Sequence, residues 1–175
     1  AVTFLGILTC AFASDKQSAK CLPDEVETMK NVQPEKFFNG IWHVTHAERN
    51  GTDATVCQKY KSNNEKNGKL SFDYGYYKNG NDDTFIQVHC EETKKDNPIF
   101  SFSCNSSQES SKNVDLTFID TDYTQYAMLY RCDPIDGGIA NNTLILHRKE
   151  EDEKNFEIDN FVHRRNAKCK KNSDF

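Results

Sequence analysis

The stretch Gly40-Ile41-Trp42-His43-Val44-Thr45-His46 decides the fold of this chain, because it opens a strand with the only tryptophan in 175 residues. Two distant stretches accompany it: Thr121-Asp122-Tyr123 followed by Tyr126, and the apolar run 142–147 that Arg148 closes. A barrel closed around a cavity needs a plug at its narrow end, and an indole with a guanidinium stacked on its face can supply that plug. Gly40, Trp42 and Arg148 are the residues that could form such a plug.

Between these stretches the chain alternates short apolar runs with turns rich in Asn, Gly and Asp. This rhythm predicts an antiparallel meander of strands. The run 70–76 has period two, with Leu70, Phe72, Tyr74 and Tyr76 on one face. Residues 34–38, which begin with a proline, are expected to make one short helical turn before Gly40.

One disulfide is predicted from a local pattern. Residues 85–89 and 99–103 read as the two strands of a hairpin, and Cys90 and Cys104 flank the segment 91–103 between them. We therefore expect Cys90 and Cys104 to pair.

Beyond Arg148 the character of the sequence changes. Acidic residues at 150–153 come first, and Arg164, Arg165 and Lys168 follow after Phe161 and Val162. Acids at the start and bases at the end match the dipole of a helix. A C-terminal helix packed on the barrel wall is the prediction.

The first thirteen residues are apolar and uncharged and end in Ala11-Phe12-Ala13, the small-x-small pattern that signal peptidase cleaves. We expect residues 1–13 to be a signal peptide and 14–175 to form a single secreted, extracellular domain. Cleavage removes Cys10 and leaves an even set of six cysteines in an oxidising compartment. Three disulfides follow, but spacing leaves open how Cys21, Cys57, Cys132 and Cys169 pair. Since no two cysteines have Cys-x-x-Cys spacing, we expect no metal site.

Three sequons make this chain a candidate glycoprotein, with acceptors at Asn50, Asn105 and Asn141 in turn-rich stretches. The formal net charge of -5 is scattered rather than blocked. That distribution argues against binding to nucleic acid or to an anionic membrane surface. We expect a monomer.

The three opening stretches together resemble the signature regions of the lipocalins, secreted barrels that hold one small ligand. Residues 37–46, 119–123 and 131–134, with the leader, are similar to the triabin-like salivary lipocalins of triatomine bugs, a branch that includes platelet inhibitors, amine binders and haem-carrying nitrophorins. The resemblance covers nearly the whole chain and implies an all-β, eight-stranded up-and-down barrel. It also implies disulfides between Cys21 and Cys132 and between Cys57 and Cys169. The haem-ligating histidine of the nitrophorins falls on Tyr76, so we expect no haem and no other cofactor.

A ligand pocket follows from strand parity. If Trp42 faces the interior, Val44, His46 and Glu48 share its face. Parity extended with the resemblance adds Val56, Gln58 and Tyr60, then Phe72, Tyr74 and Tyr76, then Phe85 and Gln87. Together these give a cavity walled by aromatic rings with a few polar groups, as small-ligand sites have. The predicted ligand-binding residues are Val44, His46, Glu48, Tyr60, Phe72, Tyr74, Tyr76, Phe85, Gln87 and Arg131. For any single ring, filling the barrel core is the plainer interpretation.

No enzymatic motif is present: the chain has no Gly-x-Ser-x-Gly elbow and no glycine-rich phosphate loop, and its five histidines are spread singly along it. We expect a scavenger that binds a small host mediator and so inhibits platelet aggregation and haemostasis. A biogenic amine would use Glu48, Asp53 and the faces of Tyr74 and Tyr76. An eicosanoid such as a thromboxane or leukotriene would use Tyr60, Tyr76, His46 and Arg131.

A third hypothesis places the activity on the outer surface. The resemblance includes triabin, which binds thrombin, and the exosites of clotting proteases are basic. Acidic stretches lie at 82–83, 91–92 and 150–153. Charge runs are most often solvated faces, so binding to a host clotting protein is kept as the alternative.

Overall fold

The computed structural model describes residues 21–49, 58–64, 68–77, 85–135, 138–149 and 159–163. The predicted leader, the pair Cys57 and Cys169, the sequon at Asn50, and Asp53 and Val56 lie outside the described residues, as do the charged stretches 82–83, 150–153 and 164–168. Among the residues that are described, no helix has the length and apolar character needed to cross a membrane.

The described chain is almost entirely strand. A single helical turn, α1 (Pro34–Phe37), precedes the strands as predicted. The nine strands are β1 (Ile41–Glu48), β2 (Lys59–Asn64), β3 (Leu70–Tyr77), β4 (Phe85–Asp96), β5 (Ile99–Asn105), β6 (Lys112–Thr121), β7 (Tyr126–Ile135), β8 (Gly138–His147) and β9 (Phe161–His163).

Antiparallel pairing runs from β2 to β8 in chain order, and β1 pairs with both β8 and β2. This pairing closes eight strands into a barrel and confirms the predicted up-and-down meander. The β4–β5 hairpin is longer than predicted, because its strands continue to Asp96 and begin again at Ile99.

The predicted C-terminal helix is wrong at Phe161, Val162 and His163, which form β9 instead. These residues pair with the second half of β1, beyond the point where β1 leaves β2. The free edge of β1 supplies backbone hydrogen bonds that a helix on the wall would not use, and Phe and Val suit a strand. Asn160 adopts the left-handed conformation at φ 70 in the turn before β9, and its carbonyl accepts from the Arg49 N–H at 2.7 Å.

The barrel floor is built as the sequence predicts. Trp42 is fully buried, the Arg148 guanidinium carbon lies 3.7 Å from the centre of its ring, and its indole N–H donates to the Phe37 carbonyl at 2.9 Å. Burial lowers the pKa of Arg148 to about 10. Gly40 has φ 81, and a Cβ there would lie 3.5 Å from an Arg148 nitrogen, so glycine meets both the backbone and the space requirement.

The Thr121-Asp122-Tyr123 stretch forms the turn beneath this floor. The Asp122 carboxylate accepts from the backbone N–H groups of Thr124, Gln125 and Tyr126 at 2.9, 2.7 and 3.1 Å. Burial opposes ionisation of Asp122, but these backbone donors outweigh it and lower its pKa. The carboxylate therefore caps a turn, as an Asx motif does.

Disulfides join Cys21 to Cys132 and Cys90 to Cys104. The first ties the segment before α1 to β7, and the second crosses the β4–β5 pair at directly opposed positions. Both agree with the pairings expected from the sequence and the family resemblance.

Candidate ligand site in the upper barrel

The barrel has a plugged end and an opposite end, which we call the mouth. The plugged end carries α1, the turn 122–125 and the β4–β5 turn. The mouth carries the β5–β6 loop, residues 106–111, the last residues of β7 and the first residues of β8. The end of β7 therefore lies nearer the mouth than the floor does.

Aromatic rings fill the lower barrel. Phe38 lies 5.7 Å from Phe72 and 5.5 Å from Phe102, centre to centre, while Phe37 stacks on Trp42 at 5.1 Å. All of these side chains are buried. In this half of the barrel the rings are core, as the plainer interpretation expects.

The stack of rings continues upward along β2 and β3. Tyr60 lies 5.4 Å from Phe72 and 5.7 Å from Tyr74, and Tyr74 stacks on Tyr76 at 5.9 Å. Unlike the phenylalanines below them, these rings end in hydroxyl groups. The interior thus changes from apolar to polar towards the mouth.

A buried guanidinium is the centre of this polar region. Arg131 Nη1 donates to the Tyr60 hydroxyl at 2.8 Å, and Nη2 donates to the Tyr74 hydroxyl at 3.2 Å. Its Nε and Nη2 donate to the two carboxylate oxygens of Asp133 at 2.8 and 2.9 Å. The guanidinium carbon also lies 4.7 Å from the centre of the Tyr74 ring. We call Arg131, Asp133, Tyr60 and Tyr74 the Arg131 cluster.

A chain of charges leads from the Arg131 cluster to the mouth. Lys112 Nζ lies 3.9 Å from Asp133 Oδ2 and 3.9 Å from Glu109 Oε2. Glu109 in turn accepts from the Tyr76 hydroxyl at 2.6 Å. Opposite charges therefore alternate from Arg131 outward through Asp133, Lys112 and Glu109.

The protonation states in this region are set by burial and by neighbours. Burial raises the pKa of Tyr60 to about 12 against the opposing charge of Arg131. Burial and the hydrogen bond to Glu109 raise the pKa of Tyr76. For Arg131, burial alone would lower the pKa, but the carboxylate of Asp133 outweighs it and the pKa rises well above its usual value. At neutral pH the site therefore presents protonated phenols and a permanent cation.

Six of the ten predicted ligand-binding residues are buried on the interior face. β3 contributes three of them, and direct opposition across the sheet places Tyr60 beside Tyr74 and Arg131 beside the core residue Leu116. The six are Val44, Tyr60, Phe72, Tyr74, Tyr76 and Arg131.

His46 and Glu48 do not share the face of Trp42, so the parity prediction is wrong for them. The register of β1 against β8 shifts between Val44 and His46, which is a β-bulge. Beyond it, Ala47 pairs with the core residue Leu144 and takes the interior position. His46 and Glu48 are turned to the outer face.

Phe85 and Gln87 also face outward, contrary to prediction. Gln87 pairs with Gly75 and is exposed, while the interior positions of β4 go to Ile86 and Val88. A Cβ at Gly75 would collide with the Phe85 ring, which shows that Phe85 lies across the outer surface of β3. The apolar pair in β4, rather than the parity carried over from the resemblance, decides which face is buried.

Sequence reasoning missed three charged residues of the site: Asp133, Lys112 and Glu109. A signal for Asp133 was present, because Arg131 and Asp133 are two apart in one strand and so share a face. Lys112 and Glu109 carry no such signal, since Glu109 lies within the β5–β6 loop and Lys112 directly follows it. Of the predicted glycan acceptors that are described, Asn105 is exposed and Asn141 is partly buried in β8.

The structure also gathers histidines that are far apart in sequence. His46 lies 6.4 Å from His147 and 5.2 Å from His163, centre to centre, on the outer face where β1 meets β8 and β9. The Thr45 hydroxyl lies within 2.9 Å of a ring nitrogen of both His46 and His147. Within the described part of the chain, no group of three His, Cys, Asp or Glu side chains is placed to hold a metal ion.

Comparison with known proteins places this chain in a family. A sequence model of the triabin family matches residues 13–157. The chain belongs to the triabin family. Triafestin-1 of Triatoma infestans is 34% identical over 161 residues, which cover 85% of this chain and 77% of that protein. Pallidipin of Meccus pallidipennis is 34% identical over 163 residues, with 86% and 80% covered. Platelet inhibitor triplatin-2 of Triatoma infestans is 31% identical over 149 residues, with 83% and 78% covered.

Solved structures related to this triabin-family chain hold small ligands. The complex of LTBP1 with leukotriene C4 superposes with a TM-score of 0.54 at 26% identity, covering 75% of this chain and 77% of that one. The tryptamine complex of the amine-binding protein of Rhodnius prolixus superposes with a TM-score of 0.61 at 19% identity, covering 79% and 83%. The second likeness shows the fold alone. Family and fold are those of binding proteins.

Proposed function

We propose that this triabin-family protein is a secreted salivary scavenger that binds an eicosanoid in the upper half of its barrel and so inhibits platelet aggregation and haemostasis in the host. The observation that carries the proposal is the Arg131 cluster. A guanidinium inside a barrel, with two phenol hydroxyls beside it, is a recognition group for a carboxylate with neighbouring oxygens.

The chemistry of an eicosanoid fits the upper half of the interior. Its carboxylate matches Arg131, its ring or chain oxygens match the hydroxyls of Tyr60 and Tyr74, and its hydrocarbon chain matches the apolar walls. These walls include Val44 and Val88, both buried on the interior face. Pockets of this kind bury most of a ligand against apolar surface and orient it with a few polar groups.

A cationic amine is less well served by the same geometry. Glu48, one of the two carboxylates expected to receive an amine, faces outward beyond the β-bulge, and the other, Asp53, lies outside the described residues. Asp133 is bound through both oxygens by Arg131, and the face of Tyr74 already carries that guanidinium. An amine approaching these groups meets a fixed positive charge.

Two comparisons support the proposal. The LTBP1 complex contains leukotriene C4, an eicosanoid, in a barrel 26% identical to this one. One relative is named as a platelet inhibitor. Eicosanoid binding and platelet inhibition belong to those two proteins. We propose both for this chain because it contains the Arg131 cluster.

Titration calorimetry of the oxidised protein tests the proposal with four probes: leukotriene C4, a stable thromboxane analogue, serotonin and thrombin. We expect submicromolar binding of at least one eicosanoid. Arg131→Gln is expected to weaken that binding by about 100-fold, or roughly 3 kcal/mol, the scale of a buried charged hydrogen bond. The matched control is Arg49→Gln, because Arg49 is exposed at the end of β1.

Two results would contradict the proposal. Serotonin binding tighter than both eicosanoids would favour the amine hypothesis. Thrombin binding without any eicosanoid binding would favour the surface hypothesis. Of the acidic stretches on which that hypothesis rests, only Glu91 and Glu92 are described. Glu92 is held by the scaffold, since it accepts from the Leu70 N–H at 2.9 Å.

A further inference from the structure

We propose that Asp133 occupies, in the free protein, the position on Arg131 that the carboxylate of the ligand takes in the complex, so that Asp133 sets both affinity and selectivity. This inference rests on the proposed function, because it assigns the anion subsite of the same barrel. The ligand class it selects is an ionised carboxylate, as opposed to an ester or a neutral lipid.

The contact between the two side chains has the geometry of carboxylate recognition. Both oxygens of Asp133 accept from the guanidinium, at 2.8 and 2.9 Å, through Nε and Nη2. This is the paired arrangement that arginine forms with any carboxylate, including one on a ligand. The remaining nitrogen, Nη1, is held by the Tyr60 hydroxyl at 2.8 Å. A ligand carboxylate that binds Arg131 in the same paired fashion therefore takes the nitrogens that Asp133 uses.

Position along the strand gives the order of approach. Arg131 and Asp133 are two residues apart in β7 and point to the same face, with Asp133 about 7 Å nearer the mouth. Their side chains are 10% and 16% exposed. A ligand entering from the mouth reaches Asp133 first and the guanidinium only after Asp133 has moved aside.

A second cation makes this displacement feasible. Leaving a buried carboxylate unpaired would be strongly unfavourable, as breaking a buried ion pair is. Lys112 Nζ lies 3.9 Å from Asp133 Oδ2, and the Lys112 side chain is 29% exposed. When the ligand binds Arg131, Asp133 turns to Lys112 and keeps a partner. The exchange replaces one carboxylate on Arg131 with another, so Arg131 and Asp133 each keep a partner of opposite charge while the ligand adds one negative charge to the barrel.

Chemical rescue tests the subsite without any eicosanoid. In Asp133→Ala the guanidinium has an empty carboxylate position, and added acetate is expected to raise the melting temperature in a saturable manner, while chloride at equal ionic strength does not. Wild type and Asp115→Ala should not respond, because Asp115 lies on the outer face of β6 opposite Cys132. Equal responses in all three proteins, or none in Asp133→Ala, would overturn the inference. Asp133→Ser, which also leaves the carboxylate position on Arg131 open, replaces Asp133→Ala if the alanine variant does not fold.

Ligand affinity provides the second test. Asp133→Asn is expected to bind a thromboxane analogue with one carboxylate at least 10-fold tighter than wild type, because the competing charge is gone. The methyl ester of the same analogue should gain less than twofold, and Asp115→Asn should change neither affinity. Equal or weaker binding of the acid by Asp133→Asn contradicts the inference even where wild type binds eicosanoids and the proposed function stands. If no protein binds any eicosanoid, the proposed function fails, and acetate rescue still decides the anion subsite.

The role of Lys112 has its own test. Lys112→Met is expected to weaken binding of the acid about 10-fold, and Lys112→Arg to restore it, because either cation can receive the displaced Asp133. The matched control is Lys61→Met, at an exposed position of β2. An unchanged affinity of Lys112→Met for the acid would show that Asp133 does not move to Lys112 when the ligand binds.

Discussion

Arg148→Met is the substitution that most sharply tests how the floor of the barrel is held. Arg148 donates to the carbonyls of Tyr123, Ile41 and Phe37, at 3.1 to 3.3 Å, and also to those of Lys36 and Asn39. These carbonyls belong to three separate pieces: α1 with the residues after it, the start of β1, and the turn 122–125. Methionine keeps the apolar stem but removes every one of these hydrogen bonds.

The expected cost follows from these contacts. The cation-π contact with Trp42 contributes about 1–2 kcal/mol at a partly buried site. The hydrogen bonds to carbonyls add about 1–3 kcal/mol net, because some carbonyls regain water when the guanidinium is lost. Relief of the cost of burying a cation offsets part of this sum. We expect a loss of about 2–4 kcal/mol in the free energy of unfolding, which lowers the melting temperature of a chain this long by roughly 5–15 °C.

Urea denaturation measures this change in the oxidised protein, followed by circular dichroism and by the fluorescence of the only tryptophan. Arg148→Lys should lose less, since it keeps the charge but not the planar fork, and Arg49→Met should stay within about 0.5 kcal/mol of wild type, as surface substitutions do. An Arg148→Met midpoint equal to that of Arg49→Met would refute the view that the guanidinium ties the three pieces together.

Three further outcomes follow from the charges and register of the described residues. Burial raises the pKa of Tyr60 to about 12 in the folded protein, from 10 in the unfolded chain. The contribution of Tyr60 to the free energy of unfolding is therefore full below pH 10 and is lost as pH rises through 12. Alkaline unfolding curves should show that Tyr60→Phe flattens the decline of stability above pH 10. The pKa of His89 is raised by Asp73 and Glu91 against the opposing effect of burial, and Asp73→Asn should lower it in an NMR titration, whereas an unchanged pKa would remove Asp73 as a cause. Glu48→Gln should leave ligand affinity within twofold of wild type, and a large loss would mean that the β-bulge does not turn Glu48 outward.

The floor of the barrel could be predicted from sequence because its residues are chemically unusual. A lone tryptophan, a glycine before it and an arginine closing an apolar strand have few other reasons to recur at these separations. The helical turn before β1 and the hairpin between Cys90 and Cys104 were likewise local patterns. In each case the residues that form the recognisable sequence pattern are the same residues that contact one another in the structure.

It was harder to predict which residues of the barrel strands face the interior, because strand parity fails wherever the register between two strands shifts. The bulge after Val44 turns His46 and Glu48 outward, and nothing in Val44-Thr45-His46-Ala47 marks it in advance. The short strand β9 depends on a free edge of β1, which exists only once the barrel has closed. Such features are set by tertiary hydrogen bonds, which local propensity does not encode.

The candidate site was predicted only in part, because some of its residues carry a local signal and others do not. Its aromatic residues follow from period two in β3, and Arg131 was among the residues expected for an eicosanoid. The prediction missed Asp133, Lys112 and Glu109. Their role in the site depends on contacts between side chains that come together only near the mouth of the folded barrel. Charge alternation of this kind becomes visible only when the strands and the β5–β6 loop are brought together.

The most direct test of the central claim is a crystal structure of the protein with a thromboxane analogue or leukotriene C4. The account predicts a ligand carboxylate on the Arg131 guanidinium, with ligand oxygens within hydrogen-bond distance of the Tyr60 and Tyr74 hydroxyls and Asp133 turned to Lys112. A ligand bound elsewhere on the barrel, with Asp133 still on Arg131, would contradict it.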